Sequence, residues 1–130
     1  MDKAESSGAR VIALPTRMRW RARVGDLVVQ AEDVMLEVKD VLLNDTMARH
    51  GTYAKQLIGD ALSLLGDKAD TLQRSDPSQC YGCVVLPAVA MLVGAQSMEN
   101  VSPSLYSALQ PAVAALEEAG RILDEAGLAQ

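Results

Sequence analysis

The hydrophobic positions of residues 16–44 recur at steps of three and four residues, which is the period of one face of an α-helix. These positions are Trp20, Val24, Leu27, Val28, Ala31, Val34, Met35, Val38, Val41 and Leu42. A second apolar stripe lies at heptad spacing on roughly the opposite side of the same helix, and it comprises Val29, Leu36 and Leu43. Because one apolar face is sufficient to pack a helix against its own chain, the second stripe predicts either a central helix or a homodimer contact.

The same period returns in residues 46–74 and 103–127, which predicts two further amphipathic helices. The apolar positions of the first of these are Tyr53, Ala54, Leu57, Ile58, Ala61, Leu62, Leu64, Leu65, Ala69 and Leu72. Those of the second are Leu105, Leu109, Val113, Leu116, Ala119, Gly120 and Leu123. Its charged face comprises Glu117, Glu118, Arg121, Asp124 and Glu125. In the predicted helix of residues 46–74, three small residues share one side: Gly59, Ser63 and Gly66. They predict a close approach by another helix. Pro111 predicts a bend in the last helix or a late start to it.

Residues 77–98 contain no charged residue and no histidine. Asp76 and Pro77 predict a helix start, with an N-cap followed by proline at the first helical position. An almost unbroken apolar run, residues 84–95, predicts a helix that other helices surround and that is the most buried of the chain. Pro87 predicts a kink, or a split into a short turn and a longer helix. The uncharged stretch is long enough to span a bilayer, but polar residues at both ends favour a buried core helix and no membrane span.

Together these patterns predict an all-α, single-domain, up-and-down bundle of about four helices in residues 16–130. The helices are expected near 16–44, 46–74, 77–98 and 103–127. Residues 1–15 have no helical stripe and are expected to form a flexible N-terminal tail. The 130 residues are 49% hydrophobic but contain no Phe, so the core is expected to consist of Leu, Val, Ala and Met.

The net charge of −5 is unevenly distributed. Residues 1–25 hold six basic and two acidic residues, whereas residues 26–130 hold six basic and fifteen acidic residues. An Arg-rich arm carries most of the positive charge, and its candidate interaction residues are Arg17, Arg19, Trp20, Arg21 and Arg23. These arginines could bind phosphates while Trp20 stacks on a base. The favoured interpretation is that they neutralise acidic groups of the body while Trp20 packs on the bundle, because the acidic remainder would repel nucleic acid.

Cys80-Tyr81-Gly82-Cys83 is the sharpest chemical motif of the chain. At a helix start the macrodipole can lower a thiol pKa, and a C-x-x-C pair can cycle between dithiol and disulfide. A structural zinc site needs four ligands, which one chain could supply only with His50 and an acid, and two chains with four cysteines. Cysteine is also among the most buried residue types, so two structural cysteines are the favoured interpretation.

No phosphate-binding loop, nucleophile elbow or zinc-protease motif is present in the sequence, and His50 has no identifiable catalytic partner. No cofactor or catalytic residue is therefore expected. Two cysteines and the absence of a signal peptide predict a cytoplasmic location. The leading functional hypothesis is a small, non-enzymatic interaction or regulatory protein that binds another macromolecule, presumed to be a protein, and forms a homodimer. The alternatives are a C-x-x-C thiol-redox or metal-binding protein, and a nucleic-acid binder acting through the Arg-rich arm.

Overall fold

The computed structural model describes residues 16–44, 52–97 and 103–128, without the side chains of 16–18, 41–44 and 52. The described residues form helices and no strand, which confirms the predicted all-α class. The helical elements are α1 (Thr16–Asn44), α2 (Thr52–Asp67), α3 (Ala69–Arg74), α4 (Pro77–Cys80), a π-helical turn (Tyr81–Val85), α5 (Leu86–Gln96) and α6 (Pro103–Leu128). The predicted flexible tail, residues 1–15, and His50 lie outside the described residues.

The first helix runs antiparallel to the α2–α3 pair. Arg21, near the start of α1, contacts the carbonyl of Ser75 just after α3. Lys39, near the end of α1, lies beside Gly59 in α2. The start of α1 therefore lies at the same end of the molecule as the end of α3 and the start of α4.

The α4–α5 stretch runs antiparallel to α6. Pro77 at its start lies beside Gly127, and Gln96 at its end donates a 3.1 Å hydrogen bond to the carbonyl of Tyr106. The most extensive packing joins α1 to α6 and α2 to α5. These contacts follow the predicted up-and-down order; that the long segments form one four-helix bundle stays a prediction.

The hydrophobic stripes predicted for the long helices are buried. In α1 the buried side chains are Trp20, Val24, Val28, Ala31, Met35 and Val38. In α2 and α3 they are Ala54, Ile58, Ala61, Leu65 and Leu72. In α6 every predicted inward position is buried, from Leu105 to Leu123. Tyr53, which is 71% exposed, and Ala69 are exceptions. The predicted positions that are only partly buried are Leu27, Val34, Leu57, Leu62 and Leu64.

We call the helical part of the uncharged segment, Pro77–Gln96, the charge-free stretch. Local signals account for its start and its irregularity. Asp76 accepts a 2.8 Å hydrogen bond from the backbone N–H of Gln79, and Pro77 occupies the first turn, as predicted. The predicted interruption near Pro87 takes the form of the π-helical turn, in which the N–H of Leu86 donates to the carbonyl of Tyr81. A proline ring clashes with the carbonyl four residues before it in a regular α-helix, so a wider turn at this place relieves the clash. Pro111, by contrast, lies inside a continuous α6, which excludes a late start.

The prediction that other helices surround the charge-free stretch on every side is wrong. Leu86 is 50% exposed, Val93 41% and Tyr81 40%. The stretch packs against α2 on one side and α6 on the other, so its third side has no neighbour among the described residues. Within the described part of the chain, Pro77–Gln96 is long and apolar enough to cross a membrane by length and composition, with a mean hydropathy of 1.6.

The close helix contact also lies elsewhere than predicted. Among the described residues, a β-carbon added at Gly66 would meet nothing within 4 Å, and one at Gly59 would meet only the flexible end of Lys39. A β-carbon at Gly120, however, would lie 3.1 Å from Cε1 of Tyr81 and 3.4 Å from Cγ1 of Val85. The absent side chain of Gly120 is therefore what lets α6 approach the π-helical turn.

Candidate functional site

The Arg-rich segment is helical, and its residues point in different directions. Trp20 is 4% exposed, and its indole Nε1 has no hydrogen-bond acceptor in the part of the chain that the structure describes. Arg19 and Arg23 are exposed, and Arg23 lies 3.7 Å from the carboxylate of Glu118. The side chain of Arg17 is outside the described residues. A buried Trp20 is not available for stacking on a base.

Arg21 connects α1 to the end of α3. Its guanidinium lies 4.3 Å from the centre of the Trp20 ring, and it donates hydrogen bonds to the carbonyls of Leu72 at 2.8 Å and Ser75 at 2.7 Å. The last carbonyls of a helix have no partner within the helix and carry partial negative charge. A cation with several donors therefore satisfies them well, and Arg21 acts as a cap supplied by a distant part of the chain.

Cys80 also reaches the end of α3 and shares the carbonyl of Ser75 with Arg21. Its Sγ lies 3.4 Å from the carbonyl oxygen of Thr71 and 3.7 Å from that of Ser75, and its side chain is fully buried. The arginine segment and the C-x-x-C motif were separate signals in the sequence. The structure brings one member of each together at Ser75, which we call the Ser75 corner: Arg21, Ser75 and Cys80.

The environment of Cys80 does not activate its thiol. Burial raises the pKa of Cys80 above its ordinary value, and the neighbouring charge of Arg21 only partly opposes this. Asp76 and Cys83 raise it further. The possibility that the helix start lowers the pKa is therefore not realised at Cys80, because desolvation of the thiolate outweighs the favourable charges. Cys83 is exposed, and both thiols are free.

A metal site is not evident at this corner. Among the described residues, no group of three or more His, Cys, Asp or Glu side chains is placed to hold a metal ion. The predicted ligand His50 lies outside those residues, and a zinc site formed by the cysteines of two chains stays a prediction.

A groove runs between the charge-free stretch and α6. Its larger recess has a volume of about 470 Å³ and its smaller one about 280 Å³. Tyr81 and Asp124 line both recesses, so the two lie next to each other. Leu86 and Val89 contribute the apolar wall of the larger recess, and Leu128 that of the smaller one, at the end of the molecule where α1 begins.

The rim of the groove is acidic. Glu117 and Asp124 line it, and no base among the described residues pairs with either carboxylate. Arg121 is the one base of the lining, and it is bound by Glu118 and Glu125 on its own helix. The hydrogen bond from Arg121 lowers the pKa of Glu118, and these two carboxylates raise the pKa of Arg121. The positive charge of Arg121 is therefore neutralised locally, and the groove keeps a negative surplus.

The second stripe of α1 is exposed where it is described. Val29 is 53% exposed and Leu36 51%, and the side chain of Leu43 lies outside the described residues. No other helix of the part of the chain that the structure describes covers these two side chains. The alternative of a central α1 with both faces covered is therefore wrong for the described part of the stripe.

Sequence reasoning missed the groove. A stretch that is apolar on every side gives no indication of which side is covered, so Leu86 and Val93 were expected to be buried. One signal could have indicated the groove: Gly120 interrupts an otherwise well-packed apolar face of α6, directly opposite Tyr81. No model of a known protein family matches the chain, and neither curated proteins nor solved structures show a significant similarity to it.

Proposed function

We propose that this chain is a non-enzymatic helical interaction protein that binds another protein through the groove between α4–α5 and α6. The observation that carries this proposal is the exposed apolar wall of the groove, formed by Tyr81 and Leu86 beside an acidic rim. Singly exposed apolar side chains need no explanation, but an exposed apolar row beside a recess is typical of a protein-binding surface. The chemistry of the groove fits a partner segment with apolar side chains next to a basic residue.

A protein partner is favoured over a lipid bilayer by the neighbours of the exposed face. Glu117 and Asp124 lie beside it, and Gln96, in the same helix, is buried and donates a 2.9 Å hydrogen bond to Gln110. Insertion of this face into hydrocarbon would bring uncompensated carboxylates with it, which is costly. Flotation with liposomes tests the point, since protein that floats with neutral or anionic vesicles would contradict it.

We further propose that the protein is a homodimer joined through the outer side of α1, by Val29, Leu36 and, from its spacing, Leu43. Two apolar side chains that are each half-exposed and seven residues apart suit the seam of a helix pair. The dimer face and the groove lie on different helices, so self-association leaves the groove open to a second partner. A cytoplasmic location fits this proposal.

The alternative functions have weaker support. A thiol-redox role has Cys83 as its accessible thiol, but the buried Cys80 has a raised pKa. A nucleic-acid role would use Arg19 and Arg23, since Trp20 is buried and Arg21 is engaged at the Ser75 corner. Fewer thiols and fewer basic or aromatic side chains are therefore available for these two roles than the sequence alone suggests.

Affinity capture from the native host tests the proposal with matched variants. Leu86→Glu places a charge in the groove, and Tyr53→Glu places the same charge at an exposed aromatic residue of α2, away from the groove. We expect one specific protein to be captured by the wild type and by Tyr53→Glu, and to be lost with Leu86→Glu. The double variant Cys80→Ser/Cys83→Ser should keep it.

Three outcomes contradict the proposal. The first is a captured set that Leu86→Glu does not change. The second is captured nucleic acid that disappears when Arg19 and Arg23 are replaced by Ala. The third is disulfide turnover by the wild type that the double cysteine variant lacks.

A further inference from the structure

We propose that residues 10–14, Arg10-Val11-Ile12-Ala13-Leu14, dock in the groove between α4–α5 and α6, so that the chain covers its own binding surface until a partner displaces this segment. The inference rests on the proposed function, because it assigns a regulation to the same groove. It commits to one occupant, a named segment of this chain that precedes α1.

The segment is joined to α1 at the end of the molecule where the smaller recess of the groove lies. Arg21 contacts the carbonyl of Ser75, two residues before Pro77, and Pro77 lines the smaller recess of the groove. Thr16 begins α1 only five residues, or about 7.5 Å of helix, before Arg21. Residues 11–15 can extend about 17 Å beyond that point, which is more than the diameter of a helix. The segment is therefore long enough to reach the smaller recess of the groove, which Pro77 lines.

The chemistry of the segment matches that of the groove. Four consecutive apolar residues, 11–14, are suited to the apolar wall that includes Tyr81 and Leu86. Arg10 precedes them and has the charge that the acidic rim lacks, with Asp124 present in both recesses. Arg121 does not repel it, because Glu118 and Glu125 already neutralise that charge.

A tethered segment needs little intrinsic affinity to act. A tether of a few residues gives an effective concentration in the millimolar range, so a segment with a dissociation constant of about 0.1 mM would occupy the groove about nine-tenths of the time. A partner then binds with an apparent affinity lowered about tenfold, because only a tenth of the molecules are open. Removal of Arg10 or of the apolar residues should raise the affinity for the partner by that factor.

The experiment uses the full chain and its exposed cysteine. Cys83 is exposed and Cys80 is buried, so a nitroxide label attaches selectively to Cys83, which follows the groove residue Tyr81 by two positions in the chain. We expect the amide signals of residues 11–14 in a nuclear magnetic resonance spectrum to be broadened, and to recover when the nitroxide is reduced. These amides should also exchange with deuterium at least tenfold more slowly than in a free peptide of residues 1–15.

Two sets of variants separate docking from mere proximity to the label. Leu86→Glu should remove the broadening and the exchange protection, whereas Tyr53→Glu should keep both. Arg10→Glu should weaken docking without affecting the helices, and the double variant Arg10→Glu/Asp124→Arg should restore it. Restoration by exchanged charges is an effect that unfolding of a variant cannot produce.

The proposal is overturned if residues 11–14 exchange as fast as the free peptide, or if Leu86→Glu leaves their broadening unchanged. A mixture of ¹⁵N-labelled protein without nitroxide and nitroxide-labelled protein without ¹⁵N tests for contact between molecules. The proposal is also overturned if broadening appears only in this mixture, since the segment then binds a second copy. If docking fails while Leu86→Glu still abolishes capture of the partner, the groove remains the binding surface and only the self-docking falls. If both fail, the proposed function falls as well.

Discussion

Arg21 and Cys80, which are 59 positions apart in the chain, both point at the backbone carbonyl of Ser75, with Nη2 of Arg21 at 2.7 Å and Sγ of Cys80 at 3.7 Å. The carbonyl lies at the point where α3 ends and the charge-free stretch begins. A helix end that turns into the interior must have partners for its free carbonyls. Arg21 and Cys80 supply them, and the Ser75 corner thereby joins α1 to the rest of the molecule.

Replacement of Arg21 by Met should lower the free energy of unfolding by about 2 kcal/mol, because the carbonyls of Leu72 and Ser75 lose charged hydrogen-bond donors in a partly buried place. Arg19→Met, on the same helix but exposed, should change it by less than about 0.5 kcal/mol. Urea unfolding followed by circular dichroism measures both values. Equal effects of the two substitutions would contradict a structural role specific to Arg21.

Cys80 should make stability depend on pH in the alkaline range. Burial raises its pKa above the ordinary value of 9.0, so the unfolded chain loses the thiol proton at a lower pH than the folded chain. The contribution of the protonated Cys80 thiol to the free energy of unfolding is therefore fully present below about pH 9. It is lost as the pH rises towards the pKa of Cys80 in the folded state. Urea unfolding between pH 7 and pH 10 should show a steeper fall for the wild type than for Cys80→Ala. Cys83→Ser should keep the wild-type slope, and a slope that Cys80→Ala does not change would refute the prediction.

Cys83 and Cys80 should also differ in reactivity. Iodoacetamide at pH 8 should modify the exposed Cys83 in the native protein and leave the buried Cys80 unmodified until denaturant is added. Mass spectrometry after digestion identifies the modified residue. Equally fast modification of both thiols in the native state would show that the Ser75 corner opens readily, and would favour the redox alternative.

Gly120 and Gly66 should respond in opposite directions to added side chains. Gly66→Ala should stabilise the protein by about 0.5–1 kcal/mol, because alanine favours the helix and no described residue lies within 4 Å of the new β-carbon. Gly120→Val should destabilise it by about 1–3 kcal/mol, because its β-carbon would press on Tyr81 at 3.1 Å and on Val85. Thermal unfolding measures both. A stabilised Gly120→Val variant would mean that α6 does not approach the π-helical turn closely.

Leu36→Glu should convert the proposed dimer into monomers without unfolding the helices, since Leu36 is 51% exposed within one chain. A charge in the centre of an apolar helix seam is costly when it is buried by a second copy. Gln30→Glu, an exposed polar position on the same helix, adds the same charge and should leave the dimer intact. Sedimentation velocity at several concentrations distinguishes the two variants. A wild type that is monomeric at every concentration would remove the dimer proposal.

Local periodicity was sufficient to predict the class of the fold and most of its core. In α1 and α6 the apolar residues recur at three- and four-residue steps, and such a stripe marks a side of the helix that packs against the core. The start at Asp76 and the irregularity before Pro87 were equally predictable, because capping and the missing N–H of proline act within a few residues. The same local reasoning placed Val29 and Leu36 on a separate face of α1.

Only the tertiary structure decided which surfaces of the charge-free stretch are covered and what the two chemical motifs contact. A stretch without polar residues has no periodic signal, so the exposure of Leu86 and Val93 depends on how many helices pack around it, and that number is not a local property. Arg21 finds its acceptors 51 and 54 residues away, at carbonyls whose availability depends on where α3 ends. The pKa of Cys80 likewise depends on burial by distant helices, which outweighs the local field of the helix start that the sequence suggested.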